Sequence, residues 1–365
     1  MTGVSAAPKV VVAGSDFGRT YLEAVARAGG RLRLAGLLGR GSERTVACAR
    51  RYDVPCWTDA MCVPEDTDLV CVVVGEQWDG RRLAERLLTR GIAVLHEHPV
   101  RADDIAGLLR LAARSGATYA LQCHYGELPV MRRFLAATTA LRALDGPEHL
   151  ELTTSRLMLT AALDSAAKVA GALRPLTVLR TSGEAGQRWI EARLGELPVT
   201  LQVQNTYQPL APDNGPRVEL AVTVQYPSGV LTVVSPQGPL LWTPRLHRPQ
   251  GYRNAVTIGS VPDPELEVPA WLDLTGQSPP SRRRQIGDQW PTAVLAGIEG
   301  ALARRTDRVA SARVAQRWLG IARLVDQVVE QLGPPELTVE VAPKSLAATE
   351  LLSAALATPK DRGHG

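Results

Sequence analysis

"VVVAGSDFG", residues 10–18, is the stretch on which the reading of the fold turns. With Lys9 before it, the apolar run through Gly14 reads as a buried strand. Beyond it, Tyr21, Leu22, Val25 and Ala28 recur at helical spacing until the glycines at 29 and 30. The stretch is therefore a strand entering a helix through a glycine turn. Working outward, the same alternation repeats. "LRLAGLLG" (32–39) reads as a strand and "SERTVACARRYD" as a helix closed by "VPCW". "DLVCVVVG" (68–75) and "IAVLHEHP" are strands around the helix "DGRRLAERLLTRG" (79–91). "ADDIAGLLRLAARSG" is a helix and "TYALQCH" a fifth strand. Strand–helix alternation at this density implies βαβ units and a parallel sheet, and uninterrupted apolar strands fit burial on both faces.

After residue 126 the pattern changes. "ELPVMRRFLAATTALRAL" reads as a helix, "EHLELTTS" (148–155) as a strand and "TAALDSAAKVAGAL" (160–173) as a helix. Strands then dominate, "PVTLQVQNTY" and "RVELAVTVQYPSGVLTVVS" among them. "YPSG" (226–229) is the turn of a hairpin. Residues 236–280, rich in Pro and Gly, read as long loops. Two helices follow near 288–303 and 309–332, then a short strand "ELTVEV" (336–341). The expected class is α/β. A dinucleotide-binding domain spans 1–126, an α+β domain with a large mixed or antiparallel open sheet spans 127–345, and a frayed tail spans 346–365.

Composition narrows the function classes. A net charge of +4 over 365 residues, with arginines spread along the chain, gives no reason to expect a nucleic-acid partner. The densest basic cluster, "SRRRQ" (281–285), reads as a solvated loop or helix start. The five cysteines, at 48, 56, 62, 71 and 123, contain no C-x-x-C pair, so neither a disulfide framework nor a metal site is expected; Cys71 and Cys123 read as small core residues. No apolar run reaches the length of a membrane span, and "MTGVSAAPK" lacks a signal-peptide layout. A cytoplasmic protein without a membrane partner is expected.

A glycine turn opening a helix offers unpaired amides and a positive dipole end to a pyrophosphate. If Gly18 is the third glycine of a G-x-G-x-x-G turn, Ala13 and Ser15 hold the first two positions. Gly14, Ser15, Phe17 and Gly18 are the candidate turn residues. An NAD site puts an acid at the end of the second strand to hold the ribose 2′-hydroxyl. Here that strand ends "LLGRGSER", offering Arg40, Ser42 and Arg44 with no acid before Glu43. Cations and a hydroxyl suit a 2′-phosphate, so NADPH is favoured over NADH.

Ligands of open parallel sheets bind beyond the carboxyl ends of the strands. "HEHP" (96–99) closes the fourth strand and "CHYG" (123–126) the fifth. His96, Glu97, His98, His124 and Tyr125 should therefore meet on one edge, which holds three of the six histidines of the chain.

A dinucleotide-binding domain followed by a sheet domain, with Glu-Lys-Pro ending a late strand, is the layout of the Gfo/Idh/MocA oxidoreductases, and this chain resembles them with Glu97-His98-Pro99 at that place. Histidine in place of the catalytic lysine resembles one branch, the thiazolinyl imide (imine) reductases of siderophore and nonribosomal peptide assembly. "G-x-x-FG-x-x-YL" (14–22), "LAGLLGRGSER" (34–44), "LLTRGIAVLHEHPVRADDI" (87–105), "TTSR" (153–156) and "GPLLW" (238–242) match it as well. The resemblance implies an N-terminal Rossmann domain and NADPH-dependent reduction of a thiazoline C=N to a thiazolidine. It further implies a substrate tethered to the carrier domain of a nonribosomal peptide synthetase, and a homodimer formed through the second domain's sheet. Carried over, His98 and Tyr125 are the candidate proton donors. Glu97 would hold the nicotinamide ribose, Gly14, Phe17 and Gly18 the pyrophosphate, and Ser42 and Arg44 the 2′-phosphate. An imidazolium (pKa about 6.5) or a phenol (about 10) can protonate the imine nitrogen if it reaches it. Tyr125 ranks above His98 because it stays protonated at neutral pH. The chain departs from the branch at His96, where an amide side chain is expected, and at Glu127, where a histidine is expected. Two other readings stand beside it: a sugar or cyclitol dehydrogenase of the wider family, disfavoured by the missing lysine, and a catalytically silent NADP-binding sensor or scaffold.

Overall fold

The computed structural model describes residues 6–74, 79–209, 216–246, 267–276, 278–339 and 348–356. Its first sheet is parallel and six-stranded. The strands are β1 (Lys9–Ala13), β2 (Arg33–Leu38), β3 (Cys56–Trp57), β4 (Leu69–Val72), β5 (Val94–Glu97) and β6 (Tyr119–Gln122), in the order β3-β2-β1-β4-β5-β6. The helices α1 (Gly18–Ala26), α2 (Glu43–Arg51), α3 (Gly80–Thr89) and α4 (Ala102–Ser115) connect them. Strand β3 lies in the stretch read as a helix closure. Trp57 can pair there because Gly36 of β2 leaves room for its ring, which a Cβ would overlap.

Alternate residues of each strand feed two cores. Val10, Val12, Leu37, Cys71 and Leu95 pack under α1, and Val11, Leu38, Val70, Val72 and Val94 under α3 and α4. Each face also receives a helix from the far end of the chain. A short turn α7 (Arg282–Arg284) continues through the wider turn 285–289 into α8 (Trp290–Ala303), whose Val294, Leu295 and Ile298 cover the α1 face. Leu319 and Ala322 of α9 (Arg308–Leu332) join the α4 face. A fully buried leucine or isoleucine contributes about 1.5–3 kcal/mol, so these helices fasten the two sheets into one body.

The second sheet has eight strands. They are β7 (His149–Ser155), β8 (Leu176–Glu184), β9 (Gln187–Leu194), β10 (Leu197–Gln204), β12 (Leu220–Tyr226), β13 (Gly229–Val233), β14 (Leu240–Pro244) and β15 (Leu272–Asp273), in the order β15-β14-β13-β12-β7-β10-β9-β8. Only β7 and β10 run parallel, so the sheet is mixed, as expected. β12 and β13 form the hairpin read from "YPSG", with Tyr226 opposite Gly229. The β8–β9 hairpin and the edge strands β14 and β15 were not legible, the last two lying in the span read as loops. β11 (Thr206–Tyr207) pairs with β16 (Glu336–Leu337). One face of the large sheet buries Leu197, Val199, Leu201, Val222 and Val224 against α5 (Pro129–Leu144), α6 (Leu159–Ala170) and α9. The other face is polar and half-exposed, with Thr223 hydrogen-bonded to Thr232 (3.3 Å) and Gln225 to Glu151 (3.0 Å). Within the expected tail, 348–356 forms helix α10; residues 357–365 lie outside the described residues, as does "GEQW" (75–78).

Candidate active site

The glycine turn is shaped by close packing. Gly14 has φ +108°, and a Cβ there would overlap the Val73 carbonyl oxygen beyond β4. Helix α1 begins at Gly18 with Phe17 as N-cap, and no side chain caps it. The amides of Phe17 and Gly18 donate to no other backbone group among the described residues. A cradle that admits no side chain, at an uncapped helix start, fits a dinucleotide pyrophosphate. Ser15 is buried and its hydroxyl meets that of Thr45 (2.8 Å), which in turn meets Ser42 (2.9 Å). Ser42 is also the N-cap of α2, accepting from the Thr45 amide. The hydroxyls thus tie the turn to the end of β2. Arg40 and Arg44 stand exposed beside them, and Arg44 reaches Asp16 at 3.6 Å.

At the β5–β6 end, the five expected residues do not form one cluster. His96 turns away: its Nδ1 meets the Tyr119 hydroxyl (3.2 Å), its ring lies under Gly80 of α3, and burial depresses its pKa to about 4. It is a core histidine. Glu97 and His98 do meet, although strand neighbours point to opposite faces. The strand ends at Glu97, the His98–Pro99 peptide is cis, and His98 Nε2 sits 3.3 Å from Glu97 Oε1. The other Glu97 oxygen accepts from the Tyr21 hydroxyl. The expectation that Glu97 holds the nicotinamide ribose therefore meets a carboxyl already engaged by two side chains.

Burial governs the charges. It pushes the Glu97 pKa up to about 8, against the lowering effect of the Tyr21 hydrogen bond. It pulls His98 down to about 4, and His124 to about 3 with a smaller push from His98. At neutral pH the Glu97–His98 pair is thus a carboxylic acid beside a neutral imidazole. Burial therefore disfavours both the Glu97 carboxylate and the His98 imidazolium.

His124 and Tyr125 sit on a short helical turn after β6, their rings 4.3 Å apart. Tyr125 also faces His98 edge-on at 6.4 Å. His124 lies between Tyr125 and Phe17 (5.3 Å), with Trp290 against its edge (5.6 Å). Phe17 thereby joins the cofactor turn to the reactive cluster. His98 Nδ1, both His124 ring nitrogens, Gln122 Nε2 and Trp290 Nε1 are buried without a hydrogen-bond partner. Buried polar atoms normally have partners, so five orphans around one strand end mark a site built to meet a polar ligand.

Several of these residues escaped the sequence reading. Trp290 arrives from a distant helix, and no local pattern points to it. Asp164 and Lys168 left a trace, a lone charged pair at i, i+4 in the otherwise apolar "TAALDSAAKVAGAL". Asp164 is buried and binds Lys168 (2.8 Å) and Arg317. A Cβ on Gly126 would lie 3.3 Å from Lys168 Nζ, so this ion pair braces the turn that carries Tyr125. Among the described residues, no three His, Cys, Asp or Glu side chains cluster as a metal ion requires, and no helix is long and apolar enough to cross a membrane.

The glycine cradle, the uncapped helix and a buried acid–histidine–tyrosine cluster on the same sheet edge define a nicotinamide-dependent oxidoreductase. Residues 8–123 match the Gfo/Idh/MocA oxidoreductase family with its NAD-binding Rossmann fold, and residues 145–243 match the C-terminal domain of Irp3-like thiazolinyl imine reductases. The first domain is thus of the Gfo/Idh/MocA oxidoreductase type and the second of the Irp3-like type. No curated protein sequence matches it. Among solved structures, GenD2 from gentamicin A biosynthesis in complex with NAD aligns at 16% identity and TM-score 0.64, covering 91% of this chain and 95% of that one. KijD10, a 3-ketoreductase from Actinomadura kijaniata in complex with NADP, aligns at 15% and 0.64, covering 91% and 100%. WlbA dehydrogenase from Bordetella pertussis, in complex with NADH and UDP-GlcNAcA, aligns at 10% and 0.65, covering 90% and 96%. At these identities the likeness establishes the fold.

Proposed function

We propose that this chain reduces the C=N bond of a thiazoline to a thiazolidine with NADPH, the substrate being a thioester on the carrier domain of a nonribosomal peptide synthetase. The observation that carries the reading is the Irp3-like match over 145–243, joined to a site whose strand end offers Glu97-His98-Pro99 instead of a lysine. NADPH, which the Gly14–Gly18 turn with Arg40, Ser42 and Arg44 would hold, would supply the hydride for the imine carbon. The residues of the chain supply the rest. The imine nitrogen gains a proton, and the site holds two sources for it on one side: the Tyr125 phenol, and the Glu97 acid acting through His98. Both are neutral proton carriers, so neither needs a buried cation as its resting state. Phe17, His124 and Trp290 form an aromatic wall that keeps water from the reacting atoms. Exposed Arg40 and Arg44, next to Ser42, favour the 2′-phosphate of NADPH. The polar outer face of the eight-stranded sheet is the surface we assign to pairing with a second copy.

The test is turnover of a synthetic aryl-thiazoline thioester, with the product followed by mass. The expected result is a gain of two hydrogens, faster with NADPH than with NADH, and a fall in kcat of about 10²–10⁴ in Tyr125→Phe or His98→Ala. Whichever loss is larger names the donor that reaches the nitrogen. No reduction despite tight NADPH binding, or turnover of sugar polyols with NADP instead, would overturn the reading.

A further inference from the structure

A second cleft lies beside the reactive cluster, bounded by the first turn of α5, the β13–β14 loop and the run into α8. We propose that it binds a phosphate ester and, resting on the function proposed above, that its ligand is the phosphodiester of the phosphopantetheine arm carrying the thioester.

Its donors converge, and no acid is among the described residues of the lining. Arg133 and Arg284 both line it, both are exposed, and among the described residues neither forms an ion pair. Gln237 lines it too, and its Nε2 is buried with no hydrogen-bond partner. An orphan amide donor beside two guanidinium groups is an arrangement that an anion completes. Pro129 and Val130 bring the start of α5 to the same place. That helix runs 16 residues and no side chain caps it, so its positive end adds to the field. Of the acids close by, Asp288 is paired with Arg27 at 3.1 Å, Asp273 accepts from the amide and hydroxyl of the lining residue Thr275, and Glu127 is exposed two residues before Pro129. The pyrophosphate cradle is not the same place, since its residues lie in 14–18 and this cleft draws only on 129–289.

Position ties the cleft to the chemistry. Only Leu128 separates Pro129 from the turn that holds His124 and Tyr125. Gln289 lines the cleft, and the next residue, Trp290, packs on His124. A ligand held by its phosphate here lies against the two segments that also carry Tyr125 and Trp290.

The test is direct binding, by calorimetry at saturating NADPH, of inorganic phosphate, phosphopantetheine and pantetheine, which lacks the phosphate. Wild-type protein is compared with the Arg133→Gln/Arg284→Gln double variant, with Gln237→Met, and with Arg114→Gln as a control far from the cleft. Both cleft arginines are exposed, so the double variant should fold, and unchanged NADPH affinity would verify this. Phosphopantetheine is expected to bind at least about tenfold more tightly than pantetheine, with the difference lost in the double variant and reduced in Gln237→Met. If phosphopantetheine binds no better than inorganic phosphate, the arm assignment is overturned. If no phosphate-dependent binding is seen, or if Arg114→Gln matters as much as the double variant, the site itself is overturned. Because the readout is binding, failure to reduce a thiazoline would count against the proposed function and leave this result standing.

Discussion

At the β1–β2 end of the parallel sheet's carboxyl edge, the hydroxyls of Ser15, Thr45 and Ser42 are bonded in a row and the charges of Arg40 and Arg44 stand in water. At the β5–β6 end the arrangement is reversed: the titratable groups Glu97, His98 and His124 are buried, and three of their ring nitrogens have no partner. The first corner is built for affinity, with satisfied contacts that hold a shape and exposed charge that attracts an anion. The second keeps titratable groups buried and partly unpartnered, the arrangement in which pKa values are most strongly perturbed.

The largest break in this contrast is expected at the first corner. Gly14→Ala drives a Cβ into the Val73 carbonyl at a left-handed φ, so β1 and β4 must part or the turn must unwind. Strain of this kind costs about 1–3 kcal/mol, and the overlap adds a similar amount. A lowered urea midpoint and loss of measurable NADPH binding are the expected results. Normal affinity in this variant would show that the turn is not the cradle.

A smaller effect tests the second corner through pH. His96, His98 and His124 have folded pKa values depressed from 6.5 to about 4, 4 and 3, so their contribution is present above about 6.5 and is lost as pH falls through those values. Glu97 is raised from 4.5 to about 8, so its contribution is present below 4.5 and is lost as pH rises toward 8. Between 4.5 and 6.5 three histidines oppose one carboxyl, and stability should rise with pH. Above 6.5 Glu97 acts alone, and stability should decline by up to about 1.4 kcal/mol per pH unit until about pH 8. Urea denaturation at pH 5, 6.5 and 8 measures both limbs. Glu97→Gln should abolish the alkaline decline; an unchanged decline would place the titrating group elsewhere.

How far the sequence disclosed this contrast depends on the range of the contacts. Gly14, Gly18 and the acid-free end of β2 are local features, and the first corner was legible almost whole. The second was half legible. "HEHP" and "CHYG" announced the strand ends, yet alternation along a strand could not show that His96 turns to Tyr119 while Glu97 and His98 close on each other. That depends on where β5 stops and on how the chain leaves at Pro99. Trp290 and Arg317 come from helices about 170 and 190 residues downstream of β6, which fold back over the first sheet for hydrophobic reasons that amphipathic spacing in α8 and α9 conveys only as burial, not as destination. The β8–β9 hairpin escaped because "LTVLRTSGE" leaves Leu179 exposed and Val178 only half-buried, so its apolar alternation is weak.

The smallest expected effect sharpens the first corner. Arg44 is exposed and shares its charge with Asp16, so it is a modest contributor to any 2′-phosphate site. Arg44→Glu replaces attraction with repulsion and should raise the KM for NADPH about tenfold while leaving that for NADH nearly unchanged. Asp16→Asn should act in the opposite direction by a smaller factor, because it frees the guanidinium and removes an acid that a phosphate would meet. The pair of variants separates cofactor choice from cofactor binding. If both cofactors lose affinity together in Arg44→Glu, the arginine serves the fold of the β2–α2 corner, and any discrimination between NADPH and NADH has to come from Arg40 or from the Ser42 hydroxyl instead.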